Sequence, residues 1–295
     1  MTIRQFLLLL IPSALWGSSF IFMHHLSPVF GPMLTATIRI LVASIFLISL
    51  FFVQGYKVHW KRDYRLFFII GITNSAVPFS LYAYAALYIP SSLSVIINST
   101  SPIFGAIFGL MLLKDKLSEM KVIGLFMGTI GVGLVSSDIL AQNSLELYLS
   151  ITACVLAALL YGLSGAIVKK YALHIEPKQL TVGSLSFAGV GLFILFVVLS
   201  FAGQTPQIVS QNIALDIFMI IAFGILCTSI PYIVYYKLIQ EIGPVKALTV
   251  TYLMPTFGLL WGIIFGEIIT PIMIVGLLVI LLGIYVLSYK KKELL

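Results

Sequence analysis

The chain has 295 residues, of which 60% are hydrophobic and only 9% are charged, and its formal net charge is +7. A soluble globular protein carries roughly 25% charged residues, and a disordered chain has low hydrophobicity. The composition excludes both classes and indicates an integral membrane protein, because so few charges could not cover a surface in water.

Ten apolar runs follow one another along the chain, each close to the ~20 residues that a helix needs to cross a bilayer. The runs are continuous rather than alternating, which predicts helices, and the loops between them leave no room for a soluble domain. We therefore predict an all-α integral membrane protein with ten transmembrane helices. Their approximate bounds are 5–23, 33–53, 66–88, 91–113, 121–137, 147–168, 180–202, 215–236, 245–265 and 271–288.

Lysine and arginine predict the orientation of these spans, because cytoplasmic loops carry an excess of both. If the N-terminus is cytoplasmic, 16 of the 17 basic residues fall in cytoplasmic segments and the outer loops carry none. The remaining one, Arg39, lies inside the second span. We therefore expect both termini in the cytoplasm. We expect no nucleic-acid partner, since no segment could form a folded basic surface.

An internal repeat relates the two halves of the chain. Chance alignment of apolar helices would match leucines, whereas here prolines and glycines match at a nearly constant spacing. The pattern predicts two repeats, residues 1–138 and 147–289. The matched pairs are Trp16 with Tyr161, Gly17 with Gly162 and Pro32 with Pro177 at an offset of 145; Pro78 with Pro231, Tyr82 with Tyr235, Pro102 with Pro255, Gly105 with Gly258 and Gly109 with Gly262 at 153; and Gly124 with Gly276 and Gly131 with Gly283 at 152.

Each repeat holds five spans, an odd number, so the second copy must enter the membrane from the opposite side. Inverted repeats of this kind place two similar half-bundles around a pseudo-two-fold axis in the membrane plane. When the halves exchange conformations, an outward-open state becomes an inward-open one. The sequence therefore predicts a transporter that works by alternating access.

A set of short motifs recurs in order along the chain: Trp16-Gly-Ser-Ser-Phe20, Arg39 in the second span, Pro102-x-x-Gly105 with Pro255-x-x-Gly258, and Gly266-Glu267 followed by Gly276 and Gly283. With these motifs the chain resembles the ten-helix EamA-type branch of the drug/metabolite transporter superfamily over nearly its whole length. The resemblance implies a ten-helix basket with a central cavity and, commonly, export of metabolites or amino acids. The chain departs from the pattern with Lys114-Asp115 in the first repeat and with His24 where many relatives carry lysine.

Four prolines lie near the middle of their spans: Pro78, Pro102, Pro231 and Pro255. A proline inside a helix leaves the carbonyl four residues earlier without its usual donor, and at membrane depth such a carbonyl must face protein or a water-filled cavity. We predict that the prolines are hinges and that the third, fourth, eighth and ninth spans line a cavity. The alternative is that they only bend packed helices. The carbonyls concerned belong to Asn74, Asn98, Cys227 and Thr251.

Polar side chains share faces of these spans, and aromatic residues could add a wall for a partly apolar ligand. For a single hydroxyl, bonding between helices is an equal alternative, and Trp16, Tyr161 and Trp261 could serve packing alone. The predicted substrate-binding residues are Trp16, Ser19, Asn74, Pro78, Tyr82, Ser94, Asn98, Ser101, Tyr161, Thr228, Tyr232, Tyr235, Thr249 and Tyr252.

Arg39 is the only formal charge well inside a predicted span, and an intramembrane ionisable residue is a functional candidate by default. It could contact a carboxylate or phosphate of the substrate. The alternatives are a side chain that extends to the outer surface, or a structural bond to helix carbonyls. No aspartate or glutamate lies mid-span, which favours facilitated transport or exchange over a proton relay.

The sequence thus predicts an exporter of small metabolites, namely amino acids or related neutral or zwitterionic amphipathic compounds, in the cell (inner) membrane. The alternatives are a multidrug-type exporter of the same fold and a non-transporting membrane receptor or scaffold. An enzyme is disfavoured because no nucleophile, base or metal ligands cluster, and no cofactor or metal is expected. The expected partners are a small-molecule substrate and the lipid bilayer, and the oligomeric state is not predicted.

Overall fold

The computed structural model describes residues 2–114, 119–203, 208–242 and 250–288. These residues form thirteen α-helices and two π-helical turns, and no strand occurs among them. In chain order the elements are α1 (Ile3–Phe30), α2 (Pro32–Val53), α3 (Trp60–Gly71), π1 (Ile72–Ala76), α4 (Val77–Ala85), α5 (Ser91–Asn98), α6 (Ser101–Leu113), α7 (Glu119–Leu140), α8 (Leu145–Tyr171), α9 (Pro177–Phe201), α10 (Ile213–Gly224), π2 (Ile225–Ser229), α11 (Ile230–Ile242), α12 (Val250–Ile264) and α13 (Pro271–Ser288).

The prediction of an all-α membrane protein is confirmed over the described ranges. Seven helical rods are long and apolar enough to cross a membrane, and three of these rods join consecutive elements, as α3, π1 and α4 do. Three further apolar stretches are shorter within the described residues: Val122–Asp138 of α7, Val250–Ile264 of α12 and Pro271–Val286 of α13. The seven long rods and these three stretches overlap the ten predicted runs.

The first helix is longer than the predicted apolar run, which ended at Met23. In the structure α1 continues to Phe30 and ends at Gly31, whose φ of 78° reverses the chain into α2. The polar end of this helix is satisfied, since Nε2 of His25 lies 3.1 Å from a carboxylate oxygen of Asp216. The hydropathy of a single run cannot predict such a partner on another helix, so the run was ended too early.

Backbone irregularities lie just before three of the four predicted hinge prolines. The π-turns π1 and π2 precede Pro78 and Pro231, and they occupy positions 72–76 and 225–229, which are 153 residues apart. The α5–α6 rod breaks at residues 99–100, before Pro102. A proline has no N–H to donate, so the backbone preceding it changes its hydrogen bonding. The fourth proline, Pro255, lies inside the continuous helix α12.

Glycines let helices of the two halves approach closely. A Cβ on Gly131 of α7 would lie 2.9 Å from the carbonyl oxygen of Gly276 of α13, and one on Gly283 would lie 2.9 Å from that of Gly124. These two contacts run in opposite chain directions, so α7 and α13 pack antiparallel. Close backbone contact of this kind stabilises helix pairs in lipid, where burial of apolar surface contributes little.

A second pair of glycine contacts surrounds the centre of the bundle. A Cβ on Gly162 of α8 would lie 2.5 Å from the backbone nitrogen of Gly105 of α6, and one on Gly17 of α1 would lie 3.1 Å from that of Gly258 of α12. The helices α8 and α6, and α1 and α12, are therefore held in contact. Residues between these pairs face the interior of the bundle.

Large apolar side chains cover the outside of the bundle. Phe52 and Phe201, for example, are 80% and 89% exposed. In water such surface would be unfavourable, whereas in a bilayer it faces hydrocarbon. The exposed apolar surface thus belongs to the lipid-facing side of a membrane protein.

Candidate functional site

A central cavity of about 670 Å³ lies between the helices of both halves. This volume is in the range of sites that hold small molecules. The described elements that contribute to it are α1, α2, π1, α4, α5, α6, α8, π2, α11 and α12. The predicted site residues that line it are Trp16, Ser19, Arg39, Asn74, Tyr82, Asn98, Ser101, Pro102, Tyr161, Thr228, Tyr232, Tyr252 and Pro255.

Some predicted site residues lie elsewhere in the described structure. Pro78 and Pro231 are absent from the lining, and Ser94 is buried in helix packing, where its hydroxyl lies 3.6 Å from Sγ of Cys154. Tyr235 packs edge-on against Trp16, with 5.5 Å between ring centroids, and is absent from the cavity lining. Thr249 lies outside the described residues.

Trp261 connects two helices and does not face the cavity. Its Nε1 donates to the carbonyl oxygen of Ala14 at 3.1 Å, and it is absent from the lining. The bond joins α12 to α1. Of the two roles considered for this residue, the structure therefore favours the structural one.

The break between α5 and α6 brings three polar groups together at the cavity. The hydroxyl of Tyr82 donates to Oδ1 of Asn98 at 3.0 Å, and the hydroxyl of Ser101 donates to the carbonyl oxygen of Asn98 at 2.6 Å. This carbonyl is one of those that the prolines were predicted to release. Its partner is a side chain at the cavity wall, so the break both satisfies the backbone and presents polar atoms to the interior.

Aromatic rings form much of the remaining wall. Tyr82 is stacked with Tyr161 at 6.2 Å between ring centroids, and Phe20 packs edge-on against Tyr82 at 5.1 Å. Trp16 packs edge-on against Tyr232 at 5.5 Å. Rings in these geometries favour flat or apolar parts of a ligand. We name these five residues the aromatic wall.

Arg39 lies inside the bundle and does not extend to the surface, since only 3% of it is exposed. Its Nε donates to Oγ1 of Thr228 at 2.9 Å, and its Nη2 donates to the carbonyl oxygen of Cys227 at 3.3 Å. The guanidinium carbon lies 3.8 Å from the ring centroid of Phe79 and 4.3 Å from that of Phe223. The carbonyl of Cys227 is another of those released by a proline, so Arg39 makes the structural bond while also lining the cavity.

Much of the lining is apolar and was not predicted from the sequence; it includes Phe20, Met23, Phe79, Ala106 and Met254. Apolar residues do not stand out in a chain that is 60% hydrophobic. The glycines of α6 and α8 also line the cavity, because a missing side chain leaves room. Their repetition in both halves was a signal, but it indicated only close packing.

The two ends of the bundle differ in charge and in closure. The basic end carries Lys57 of the α2–α3 loop and the lysines and arginines in the adjoining ends of α3, α8 and α9, and the cavity reaches it through Leu113 and Lys169. At the opposite, acidic end, the carboxylate of Glu267 accepts from the backbone N–H of Ser91 at 2.7 Å and of Ser92 at 2.9 Å. Glu267 thus caps α5, where a negative charge is favourable, and ties α5 to the end of α12.

Helices of membrane-spanning length around a cavity with polar and aromatic walls are the architecture of a membrane transport protein. The EamA-like transporter family matches residues 4–137 and again residues 148–289. The chain belongs to this family, which confirms the predicted resemblance. It is a membrane transporter and a multi-pass protein of the cell membrane. In bacteria with two membranes, this is the inner membrane.

Several relatives of similar length match most of the chain. An uncharacterized transporter of Archaeoglobus fulgidus is 24% identical over 98% of this chain and 100% of its own. Protein PagO of Salmonella typhimurium is 24% identical over 95% and 91%, and Protein PecM of Dickeya dadantii is 24% identical over 94% and 92%. A protein of known crystal structure superposes with a TM-score of 0.66 over 99% of both chains at 15% identity, which shows the fold alone.

Proposed function

We propose that the protein exports small amphipathic metabolites, amino acids and related neutral or zwitterionic compounds among them, by alternating access around the central cavity. The observation that carries the proposal is this cavity, which both halves of the chain line and which combines polar side chains with the aromatic wall. A site of this composition suits a molecule that is partly apolar and has a few polar groups.

The topology that the mechanism requires is ten spans in two inverted repeats, residues 1–138 and 147–289, with both termini cytoplasmic. The two matches of the family support it, as does the 153-residue spacing of π1 and π2. The antiparallel packing of α7 on α13 supports it further. An offset of 152 relates Gly124 to Gly276 and Gly131 to Gly283, so the observed contacts are reciprocal, as a two-fold axis between the halves requires.

The cavity represents one state of the transport cycle. It reaches the basic end, which the proposed topology places in the cytoplasm, and the bonds from Ser91 and Ser92 to Glu267 hold the acidic end together. We therefore assign this conformation as inward-open. Outward opening would separate α5 from the end of α12 and break both bonds to Glu267.

Counterflow in liposomes tests the function. Purified protein is reconstituted into vesicles loaded with one unlabelled compound from a panel of amino acids, amphipathic acids and organic cations, and uptake of the same labelled compound is measured for each member of the panel. We expect transient accumulation above equilibrium for a subset of the panel. Accumulation of organic cations alone would favour the multidrug-type exporter. Accumulation of none of these solutes, by protein that is folded and inserted, would contradict transport and favour a receptor or scaffold.

A further inference from the structure

Arg39 carries a buried charge that the described residues do not neutralise. Its Nε and Nη2 donate to Thr228 and to the carbonyl of Cys227, and its guanidinium carbon lies over two aromatic rings. Its Nη1, by contrast, is buried and has no hydrogen-bond partner within the described residues. A buried cation is strongly disfavoured unless it is paired. The unpaired Nη1 in the wall of a cavity therefore calls for an anionic partner that arrives during function.

The cavity that Arg39 lines provides no carboxylate. Its charged lining residues, within the described part of the chain, are Arg39 and Lys169, and both are cationic. Ser19 lines the same cavity, and its hydroxyl is also buried without a hydrogen-bond partner there. The cavity thus contains a cationic donor and a neutral donor whose hydrogen-bonding capacity is unused.

The second repeat provides an internal control for a structural role of Arg39. The offset of 145, which relates α2 to α9, places Ser184 at the position of Arg39. A Cβ on Gly224 would lie 2.9 Å from the carbonyl oxygen of Arg39, and a Cβ on Gly71, its counterpart, would lie 2.5 Å from that of Ser184. The same helix contact therefore forms with a serine, which lies outside the cavity lining, so helix packing at this position does not require arginine.

We propose that Arg39 is the anion-recognition residue of the cavity and that the cargo is an amphipathic organic acid. Its carboxylate binds Nη1 of Arg39 with help from the hydroxyl of Ser19, and its aromatic or aliphatic body lies along the aromatic wall. The guanidinium group suits a carboxylate because it offers several N–H groups in one plane. This assignment rests on the proposed function, and it narrows the substrate class to molecules with a carboxylate, amino acids included, while excluding organic cations.

Four probes with one body and different head groups test the assignment: 3-phenylpropionate, L-phenylalanine, 3-phenylpropionamide and 3-phenylpropylamine. Their binding to the full-length protein in lipid nanodiscs is measured by calorimetry. We expect 3-phenylpropionate to bind about tenfold or more tightly than the amide, because hydrogen bonds to a charged group are the stronger kind. We expect the amine to bind most weakly, because it adds a cation to a cationic cavity.

Variants assign the preference to Arg39. In Arg39→Met the ratio between acid and amide should fall close to one, whereas Arg39→Lys should retain part of it and Ser19→Ala should reduce it a few-fold. Arg65→Met is the matched control, because Arg65 is exposed at the basic end, and its ratio should equal that of the unchanged protein. If Arg39→Met does not fold, Arg39→Lys and Ser19→Ala provide the same comparison.

Each outcome decides between the two proposals. An acid that binds no better than the amide, a ratio unchanged in the Arg39 variants, or no binding of any probe would overturn the anion site. Counterflow of other solutes would then still support transport. Conversely, Arg39-dependent binding of the acid without counterflow of any solute would preserve the anion site and contradict the transport function.

Discussion

The hydroxyl of Tyr82 lies between the cavity and the break in the fourth rod, where it donates to Asn98. Loss of a hydrogen bond of this kind costs about 1 kcal/mol, a factor of roughly five in an equilibrium constant. We expect Tyr82→Phe and Asn98→Ala each to lower the counterflow rate several-fold without affecting membrane insertion. Tyr84→Phe is the control, because Tyr84 lies two residues further along the same helix but is absent from the cavity lining. Normal transport of every substrate by both variants would show that the cavity is assigned to the wrong residues.

At the scale of residues, the sequence predicted side chains that are unusual for their setting. Arg39, Asn74 and Asn98 are polar groups in apolar runs, and the structure places all three at the cavity. It could not predict Phe20 or Phe79, because nothing local distinguishes an apolar side chain that faces a cavity from one that faces lipid. Tyr235 shows the converse case, since this polar aromatic residue on the expected face packs against Trp16 and is absent from the cavity lining.

Among the elements, the cap of α5 by Glu267 is the contact that distinguishes the two ends of the cavity. Glu267→Gln replaces one of the two accepting oxygens by an NH₂ donor, so one bond from the N–H groups of Ser91 and Ser92 loses its acceptor and the other loses its charged acceptor. Hydrogen bonds to a charged group contribute about 1.5–3 kcal/mol, and we expect roughly a tenfold shift towards the outward-open state.

The shift can be measured by labelling Ser101→Cys with an impermeant maleimide, in a background with Cys154 and Cys227 replaced by alanine. We expect faster labelling from outside and slower labelling from the cytoplasmic side. Glu146→Gln, at an exposed glutamate, is the control and should leave both rates unchanged. Equal rates in Glu267→Gln and the unchanged background would mean that this cap does not keep the acidic end closed.

Replacing the prolines tests whether the helices that contain them bend during the transport cycle. We expect the double variant Pro102→Ala with Pro255→Ala to lower the counterflow rate more than it weakens binding of the same substrate, because the hinges act between states. Of the single variants, Pro102→Ala should have the larger effect, since a backbone break precedes Pro102 while Pro255 lies in a continuous helix. Unchanged counterflow in the double variant would refute the hinge assignment.

The positions of the helices were largely predictable, because each apolar run is a local signal of the right length. Their interruptions were not. The prolines predicted where the hydrogen bonding would change, but whether a π-turn or a break results depends on which neighbour satisfies the carbonyl. Arg39 from α2 meets Cys227 in π2, and Ser101 from the next turn meets Asn98.

For the whole molecule, the packing of α7 on α13 provides a measure of stability. A Cβ on Gly131 would lie 2.5 Å from Cγ1 of Ile280 and 2.9 Å from the carbonyl oxygen of Gly276. We expect Gly131→Ala to destabilise the protein by about 1–3 kcal/mol, because overpacking a close contact forces the backbones apart. Gly133→Ala on the same helix is the control, since nothing lies within 4 Å of its added Cβ. Thermal unfolding of both variants in one detergent gives the comparison, and equal midpoints would contradict close packing here.

The sequence predicted the repeat because prolines and glycines mark backbone geometry, which both copies must preserve. It could not predict how the halves meet. Contacts such as Gly17 with Gly258 join positions that are distant in sequence, and no local pattern connects them. The acidic-end closure was missed for the same reason, because Glu267 acts through the backbone of α5.

The pairing of α7 with α13 has a consequence for how the molecule moves. The residues that α7 contributes to the contact are the repeat counterparts of those that α13 contributes. When the two halves exchange conformations, the same contact therefore forms again. The contact between α7 and α13 therefore need not open at any stage of the cycle. We expect a cross-link between α7 and α13 at this contact to leave turnover intact. A cross-link between Ser92 and Gly262, at the acidic end, should stop turnover.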